Sequence, residues 1–438
     1  MLGIALAFSA VAVHSVLGAV QGADCTGTIS SLDDVDGAVA CTTVNINSFT
    51  VPAGETFNLE LADGTTVNMR MPISLYEFCL VHSYLPTDEP QRVMSALATR
   101  LGPVHSFKSG YYGAMVTLRS GTSITFNGNG HTFNGNGPFY WDGLGGNGGV
   151  TKPAPMMKIK ISGVFTNVKV LNSPERVYSV SNPAPLVMSN LVIDDSLGDE
   201  PNAASNGEAA GHNTDGFDCS TNDLTIESRY VLFLSIFIVV SMKSHAGTAR
   251  YITKTIALPS TRAPTSSSLV TLALAVMASL SYGTPSSSMH RIQFNAHSTD
   301  FKGSISSDAI VSGIIISDNT ITNNDQALRI KTKADATDAS VSNVTYIGNI
   351  GTGMRQFGVL IDQSYPDTLG TPGTGVIISN INFSGSTTSI TVNNDAQRVA
   401  VNCGSGACTG TWDWSSLQIS GGSSGPITGF SGITNFSQ

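Results

Sequence analysis

The stretch that decides the fold is Val311-Ser312-Gly313-Ile314-Ile315-Ile316, which is followed after a short turn by Asn319-Thr320-Ile321-Thr322-Asn323. Both parts are short runs rich in β-branched residues, and an Asn-containing turn ends each of them. The same theme recurs from Ile305 to Ser389. A repeat of roughly 20 to 30 residues is typical of a parallel β-helix, in which each coil buries its inward side chains against the next. A β-sandwich is the alternative, because short strands with turn signals suit that fold too.

The same texture extends toward the N-terminus, through Ser123–His131, Met157–Val170 and Ala184–Asp194. These segments predict one all-β solenoid domain over residues 23–438. Residues 71–105 and 229–302 break the pattern, because their apolar residues do not follow the short alternating runs on either side. We therefore expect two irregular inserted segments there.

The composition argues against several classes of partner. The chain has 438 residues, 45 Gly, 12% charged residues and a formal net charge of −9. It lacks a basic stripe that would neutralise phosphates, so we expect no nucleic-acid partner. The apolar runs Tyr230–Met242 and Leu269–Leu280 fall short of the roughly 18 residues that a membrane span needs, so we expect no membrane partner. The sequence shows no metal-ligand spacing, and we predict neither a metal nor another cofactor.

Residues 1–22 combine an apolar run with small residues and are typical of a secretory signal peptide. We therefore expect a secreted, extracellular protein, in which disulfides form readily. Cys25 with Cys41 and Cys403 with Cys408 are close enough in sequence to be bridged, which leaves Cys79 and Cys219 over. Three triplets have the pattern of an N-glycan acceptor: Asn343-Val344-Thr345, Asn382-Phe383-Ser384 and Asn435-Phe436-Ser437.

Two groups of charged residues are candidates for a functional site. Asn213-Thr214-Asp215-Gly216-Phe217-Asp218 offers two carboxylates of the kind that orient water beside a polar substrate, although its residue types also form turns. Arg329 and Lys331 are two positions apart, so on a strand they share a face. Paired cations suit a substrate carboxylate. The alternative is an ordinary solvated pair.

With these two groups in this order, the chain resembles the fungal polygalacturonases, which cleave pectin. The motifs that carry the resemblance besides Asn213–Asp218 and Arg329-Ile330-Lys331-Thr332 are Gly130-His131-Thr132-Phe133-Asn134-Gly135, Tyr140-Trp141-Asp142-Gly143, Gly146-Asn147-Gly148-Gly149, Gly358-Val359-Leu360-Ile361-Asp362-Gln363-Ser364-Tyr365 and Cys403-Gly404-Ser405-Gly406-Ala407-Cys408. The likeness covers about 300 residues outside the two irregular segments.

The resemblance implies a right-handed parallel β-helix and hydrolysis of α-1,4 bonds between galacturonates with inversion. Inversion places the acid and base carboxyls roughly 6.5 to 9.5 Å apart. Asp215 matches a catalytic, water-holding carboxylate, whereas Asp218 does not match a catalytic position and is expected to be structural. Arg329, Lys331 and Tyr365 match substrate-binding positions, and His131 and His212 are expected to be structural. The implied partner is pectin or polygalacturonate, and the implied protein is an endo-acting monomer.

Two motifs of the family are missing from the chain as written: Asn-Gln-Asp-Asp-Cys, with two of three catalytic aspartates, and Gly-Gly-His-Gly, with the active-site histidine. Allowed codons for Tyr251–Ser281, regrouped in a shifted frame, spell Val-Tyr-Asn-Gln-Asp-Asp-Cys-Leu-Ala-Ile-Asn and then Asn-Ile-Val-Phe-Thr-Gly-Asn-Thr-Cys-Ser-Gly-Gly-His-Gly. Our hypothesis is a faulty gene prediction, with translated introns at 71–105, 230–250 and 282–302 and a frameshifted exon between the last two. The polypeptide as written is then expected to be inactive.

Two other hypotheses stay open. The chain as written is a non-catalytic β-helix that binds pectin through Arg329 and Lys331, or it belongs to an exo-acting or rhamnogalacturonan-cleaving relative with the same fold and chemistry.

Overall fold

Parallel strands joined by short turns make up most of the chain that the computed structural model describes, which is residues 23–75, 113–219, 221–227, 238–239 and 306–438. All of these residues belong to one unit of the chain. The described residues contain a single α-helix, α1 (Val35–Ala38), and four short 3₁₀ turns at Leu32–Asp34, Gly137–Phe139, Gly145–Asn147 and Ser196–Gly198. No helix in this part of the chain is long and apolar enough to cross a membrane.

In chain order the strands are β1 (Ala23–Ile29), β2 (Cys41–Ile46), β3 (Thr50–Val51), β4 (Phe57–Glu60), β5 (Thr66–Met69), β6 (Ile73–Leu75), β7 (Val116–Arg119), β8 (Ile124–Asn127), β9 (Thr132–Asn134), β10 (Met157–Lys160), β11 (Gly163–Thr166), β12 (Lys169–Leu171), β13 (Tyr178–Val180), β14 (Leu186–Ser189), β15 (Val192–Asp194), β16 (Phe217–Cys219), β17 (Asn222–Glu227), β18 (Ile238–Val239), β19 (Ile310–Ser317), β20 (Thr320–Thr322), β21 (Gln326–Lys333), β22 (Ala339–Ile347), β23 (Ile350–Met354), β24 (Phe357–Tyr365), β25 (Val376–Phe383), β26 (Thr388–Asn402), β27 (Cys408–Thr409), β28 (Trp412–Asp413), β29 (Leu417–Ser423), β30 (Ile427–Thr428) and β31 (Ile433–Thr434).

The strands stack coil upon coil into long parallel sheets. The largest sheet has eleven strands in the order β1-β2-β5-β8-β11-β14-β17-β19-β22-β25-β27. A six-stranded sheet, β18-β16-β13-β10-β7-β4, and a five-stranded sheet, β15-β12-β9-β6-β3, form other faces of the N-terminal coils, and a seven-stranded sheet contains β20, β21, β23, β24, β26, β29 and β30. Every pairing between these strands is parallel, so the predicted parallel β-helix is confirmed and the β-sandwich alternative is wrong.

Alternation along each strand builds the core. In β22 the residues Val341, Val344 and Tyr346 are buried, whereas their neighbours Ser340 and Thr345 are partly exposed. Aromatic side chains from successive coils lie one above another inside the solenoid. The ring centroids are 4.8 Å apart for Phe126 and Phe165, 5.8 Å for Phe165 and Tyr178, and 5.2 Å for Tyr178 and Phe217. Such pairs stabilise beyond the apolar area that they bury, so one continuous stack links four coils.

Asparagines stack between coils in two columns. Asn343 in β22 and Asn380 in β25 both adopt a left-handed conformation, with φ of 55°, which Asn tolerates better than most residues. A second column is buried: Asn319 Nδ2 donates to Asn349 Oδ1 at 2.9 Å, and Asn349 Nδ2 donates to the Ile316 carbonyl oxygen at 2.9 Å. The Asn-rich turns in the sequence are therefore stacking positions between coils.

The regular coil continues past residue 71, where the first insertion is predicted to begin. Ile73–Leu75 forms β6, which pairs in register with Thr50 and Val51 on one side and with Phe133 and Asn134 on the other. The coil therefore continues through Leu75, because Ile73 fills an inward position of the regular repeat. Residues 76–112 lie outside the described residues, as does the predicted signal peptide, 1–22.

The solenoid continues across the second predicted insertion, and we call the direct pairing of β17 with β19 there the seam. β17 pairs directly with β19, so that Leu224 lies opposite Ile314 and Ile226 opposite Ile316. In the six-stranded sheet, Ile238 and Val239 pair with Phe217 and Asp218. The rest of the segment, residues 229–237 and 240–302, lies outside the described residues, and its character as an insertion stays a prediction.

The cysteines lie near the two ends of the described chain and in its core. Cys25 is bridged to Cys41 and Cys403 to Cys408, which are the two pairs that their spacing predicts. Cys219 is a buried free thiol, and burial raises its pKa well above the usual value. Cys79 lies outside the described residues.

Candidate active site

The four predicted site residues come together through the stacking of coils. Asp215 immediately precedes β16, Arg329 and Lys331 lie on β21, and Tyr365 ends β24. β21 pairs with β24, so that Lys331 is opposite Asp362 and Arg329 opposite Leu360. The charge of Lys331 acts on Asp215, which places the two sheets' polar residues within electrostatic reach of each other.

Asp215 is the half-buried carboxylate of this cluster. Its backbone carbonyl oxygen accepts the N–H of Val177 at 2.8 Å, which fixes the turn before β16. Burial raises the pKa of Asp215, and the positive charges of Lys331, Arg176, Arg329 and His212 work in the opposite direction. The surroundings therefore contain several cations that favour the ionised carboxylate against the cost of desolvation.

Asp218 belongs to the same cluster, although it is only 6% exposed. Its Oδ2 lies 3.4 Å from Nε of Arg176, and its Oδ1 has no hydrogen-bond partner. Burial raises the pKa of Asp218 to about 7, against the opposing charge of Arg176 and with the added repulsion of Asp215. A carboxylate this enclosed is poorly placed to hold a substrate water, and the structural role of Asp218 stays a prediction.

Glu175 and Arg176 are site residues that the sequence reasoning missed. Arg176 Nε is 3.5 Å from Glu175 Oε1, and Glu175 is buried. Burial works to lower the pKa of Arg176, but Asp218, Glu175 and Asp215 more than offset it and raise the pKa. Because Val177 bonds to Asp215, Arg176 and Asp215 occupy neighbouring positions on adjacent coils. The signal in the sequence that could have identified these residues was a pair of adjacent opposite charges in a chain with few charged residues.

Lys331 and Tyr365 form a cation–π pair. Lys331 Nζ lies 4.5 Å from the centroid of the Tyr365 ring. Burial, together with the repulsion of Arg329, lowers the pKa of Lys331 to about 8, while Asp215 and Asp218 oppose this change. With this pKa Lys331 is still mostly charged at neutral pH. A charged ammonium on an aromatic face is well suited to bind an anion that enters the cluster.

Arg329 keeps hydrogen-bonding capacity for a ligand. One of its terminal nitrogens, Nη1, donates to Gln326 Oε1 at 3.2 Å, whereas Nε is buried without a partner. Burial lowers the pKa of Arg329, although an arginine remains charged under ordinary conditions. The predicted pair Arg329 and Lys331 is therefore a partly buried cation pair, unlike the solvated surface pair that was the alternative.

His131 and His212, which are both expected to have structural roles, lie in different places. His212 Nε2 is 3.4 Å from Asn147 Nδ2, so it contacts the Gly-rich turn and also acts on Asp215 by its charge. His131 contributes its carbonyl oxygen to the N–H of Lys169 at 3.0 Å. Among the described residues, no group of three or more His, Cys, Asp or Glu side chains is arranged to hold a metal ion.

A parallel β-helix with carboxylates and cations gathered on its coils is the class of protein that this fold and site define. The chain belongs to the glycosyl hydrolases family 28, whose sequence profile matches residues 41–233 and 302–436. The break in that match falls on the second predicted insertion. The resemblance to fungal polygalacturonases is confirmed, and the chain is by family a glycoside hydrolase.

Relatives and a solved structure agree with this assignment. Endopolygalacturonase I of Aspergillus aculeatus is 30% identical over 392 residues, covering 87% of this chain and 80% of that protein. Polygalacturonase of Saccharomyces cerevisiae is 30% identical over 417 residues, covering 93% and 91%. The structure of endopolygalacturonase I from Stereum purpureum complexed with two galacturonate matches with a TM-score of 0.60 and 32% identity, covering 92% of this chain and 96% of that one.

Proposed function

We propose that the gene encodes a secreted polygalacturonase that hydrolyses α-1,4-galacturonosyl bonds inside pectin or polygalacturonate with inversion. The observation that carries the proposal is a family 28 solenoid in which Arg329, Lys331 and Tyr365 lie on adjacent paired strands and Asp215 lies within reach of their positive charges. The relatives named above are polygalacturonases, and the matched solved structure holds galacturonate.

The cations explain how a galacturonate unit would bind. The Arg329 side chain is partly exposed and Lys331 stands over the Tyr365 ring, so both can donate to a sugar carboxylate. A carboxylate bound there would also relieve the repulsion that Arg329 exerts on Lys331. A bound polyanion therefore stabilises the close approach of the two cations, and the two cations in turn favour binding of the polyanion.

Hydrolysis with inversion needs two carboxyls with separate tasks, a base that activates water and an acid that protonates the leaving oxygen. Asp215 suits the first task because it is partly exposed and surrounded by cations. The neighbouring carboxylates Asp218 and Glu175 are buried against Arg176. In our proposal the acid and the second water-holding carboxylate come from the Asp-Asp pair of the shifted reading frame, so the polypeptide as written binds the polymer without cleaving it.

The decisive experiment compares two proteins in a reducing-end assay on polygalacturonate. One has the sequence as written, and the other has the shifted frame restored and the three proposed introns removed. We expect activity from the restored protein alone, and its D215N variant should lose at least about a hundredfold in kcat because the water loses its base. Cleavage by the chain as written would refute the frame hypothesis, and an inactive but folded restored protein would refute the function.

Product lengths separate the remaining alternatives. An endo-acting enzyme releases a range of oligomers early, whereas an exo-acting relative releases one short product from the start. Parallel assays on rhamnogalacturonan test the third hypothesis. Retention of the chain as written on a polygalacturonate gel, with no reducing ends formed by either protein, would favour the non-catalytic pectin-binding protein.

Location, assembly and domain limits complete the proposal. We infer cleavage of residues 1–22 on secretion, a monomer, and a single solenoid domain over 23–438 with non-native insertions inside 71–105 and 229–302. N-terminal sequencing of the secreted protein tests the first inference, and its mass in solution tests the second. Transcript sequencing tests the third, since a transcript that encodes Tyr251–Ser281 as written would refute it.

A further inference from the structure

The outer face of the eleven-stranded sheet carries exposed isoleucines around β22. Ile310 is 47% exposed, Ile315 is 39% exposed and Ile377 is 42% exposed. Ile310 and Ile377 lie on either side of Ser340, and Ile315 lies beside Thr345. We call these three side chains the isoleucine patch. Ile310 and Ile315 lie on β19 and Ile377 lies on β25, so apolar side chains are exposed on both strands that flank β22.

Asn343 lies on the strand that runs through this patch. It is exposed and left-handed, with φ of 55°, and it falls between Ser340 and Thr345 along β22. Its Nδ2 donates to Ser312 Oγ at 3.0 Å, and its Oδ1 accepts from Asn380 Nδ2 at 3.2 Å. The side chain is therefore exposed on the sheet surface and hydrogen-bonded to both flanking strands, at the strand that separates Ile310 from Ile377.

Asn343-Val344-Thr345 is an acceptor triplet, and we propose that Asn343 carries an N-linked glycan whose first sugars cover the isoleucine patch. In the transfer, a bond forms between Asn343 Nδ2 and the anomeric carbon of the first sugar. The donor is a lipid-pyrophosphate-linked oligosaccharide, whose bond from the anomeric carbon to the pyrophosphate oxygen breaks, and one amide proton is released. The second amide hydrogen remains on Nδ2 as a donor.

The other two triplets are placed differently. Asn382 is half-buried, and its Oδ1 accepts the backbone N–H of Asp413 at 2.8 Å. Asn435 is exposed, but its Nδ2 donates to Asp413 Oδ1 at 3.0 Å, close to the end of the chain. Both amides thus help to hold the turn at Asp413. Asn343 alone of the three combines exposure with a position between the isoleucines.

The site is tested by peptide mapping of the full chain secreted from yeast behind the host's own leader, so that entry does not depend on residues 1–22. Enzymatic removal of the glycan in heavy-oxygen water marks each occupied asparagine. We expect the mark on Asn343, and the loss of one glycan's mass in both N343Q and T345A. T345S, which keeps the triplet, should retain it. An unmarked Asn343 in the secreted protein overturns the site.

The covering role is tested separately with a fluorescent dye that binds apolar surface. N343Q should bind more dye than the unaltered protein, and the added substitutions Ile310→Ser and Ile377→Ser should abolish the increase. N435Q is the matched control, because it removes an acceptor elsewhere on the surface, and it should leave dye binding unchanged. Equal dye binding by N343Q and the unaltered protein overturns the covering role. None of these readouts depends on catalysis, so the proposed function can fail without affecting them.

Discussion

Lys331 loses its charge closer to neutrality than an ordinary lysine does, because burial and Arg329 lower its pKa to about 8. Retention of polygalacturonate should therefore weaken as the pH rises through about 8, by roughly tenfold if one charged hydrogen bond is lost. Affinity electrophoresis between pH 6 and 9 measures this change. K331M should bind weakly over the whole range, and K169M, on an exposed lysine of another sheet, should behave like the unaltered protein. An unaltered pH profile in K331M would contradict this role of Lys331.

Asp218 makes the stability of the folded protein depend on pH. Its pKa rises from an ordinary 3.8 to about 7 on folding, so between these values the folded state binds more protons than the unfolded state. By linkage, the contribution of Asp218 to stability is highest below pH 4 and falls as the pH rises to about 7. The melting temperature of D218N relative to the unaltered protein should therefore rise across this window. A constant difference from pH 4 to pH 7 would show that Asp218 does not titrate there.

At the scale of single elements, the aromatic stack joins successive coils through the core. Phe165 is fully buried between Phe126 and Tyr178. Replacement by alanine opens a cavity that spans two coil interfaces, and we expect F165A to lower the free energy of unfolding by about 3 to 5 kcal/mol.

Val164 provides the control on the same strand. It is exposed on the opposite face of β11, so V164A should change the free energy of unfolding by no more than about 0.5 kcal/mol. Urea unfolding of both variants compares the two faces directly. Similar losses in both would mean that strand propensity outweighs core packing in this coil.

The strands also show what sequence alone can predict. The runs around Val311–Ile316 and Met157–Val170 identify short strands and a coil repeat, because alternation and Asn turns are local properties. The meeting of Arg176 with Asp215 is not local, since it depends on which coil lies above which. Family motifs located Arg329, Lys331 and Tyr365, but nothing in the sequence showed that Glu175 and Arg176 face the same carboxylates.

At the scale of the whole molecule, the seam between β17 and β19 bears on the frame hypothesis. Asn319 donates to Asn349 in the buried column, but its own Oδ1 is buried without a partner. In the shifted frame, Ile-Val-Phe-Thr-Gly-Asn-Thr aligns with Ile314–Thr320 and places an asparagine one coil before Asn319. Under the frame hypothesis, that asparagine would supply the donor that Asn319 Oδ1 lacks.

The restored protein should therefore contain one more strand between β17 and β19. Strands are spaced about 4.8 Å apart, so the solenoid should lengthen by roughly that distance and Asp215 should move away from Lys331. A crystal structure of the restored protein measures both changes, with Asn319 Oδ1 now accepting a hydrogen bond. If β17 still pairs with β19 in that structure, the restored segment is not a coil.

The register across this seam has a wider consequence for how such chains vary. Each coil pairs with its neighbour through the same kind of parallel backbone ladder. The pairing of Ile226 with Ile316 across the seam is as regular as the pairings between other adjacent coils. Within the strands, a change equal to a whole coil leaves the ladder closed, whereas a fraction of a coil would turn side chains of the core outward. The connections between strands vary residue by residue, from the short turn at 172–177 to the long one at 135–156, and neither disturbs the register of the strands around it. The coil is therefore the unit of length for the strands, and the residue is the unit for the turns.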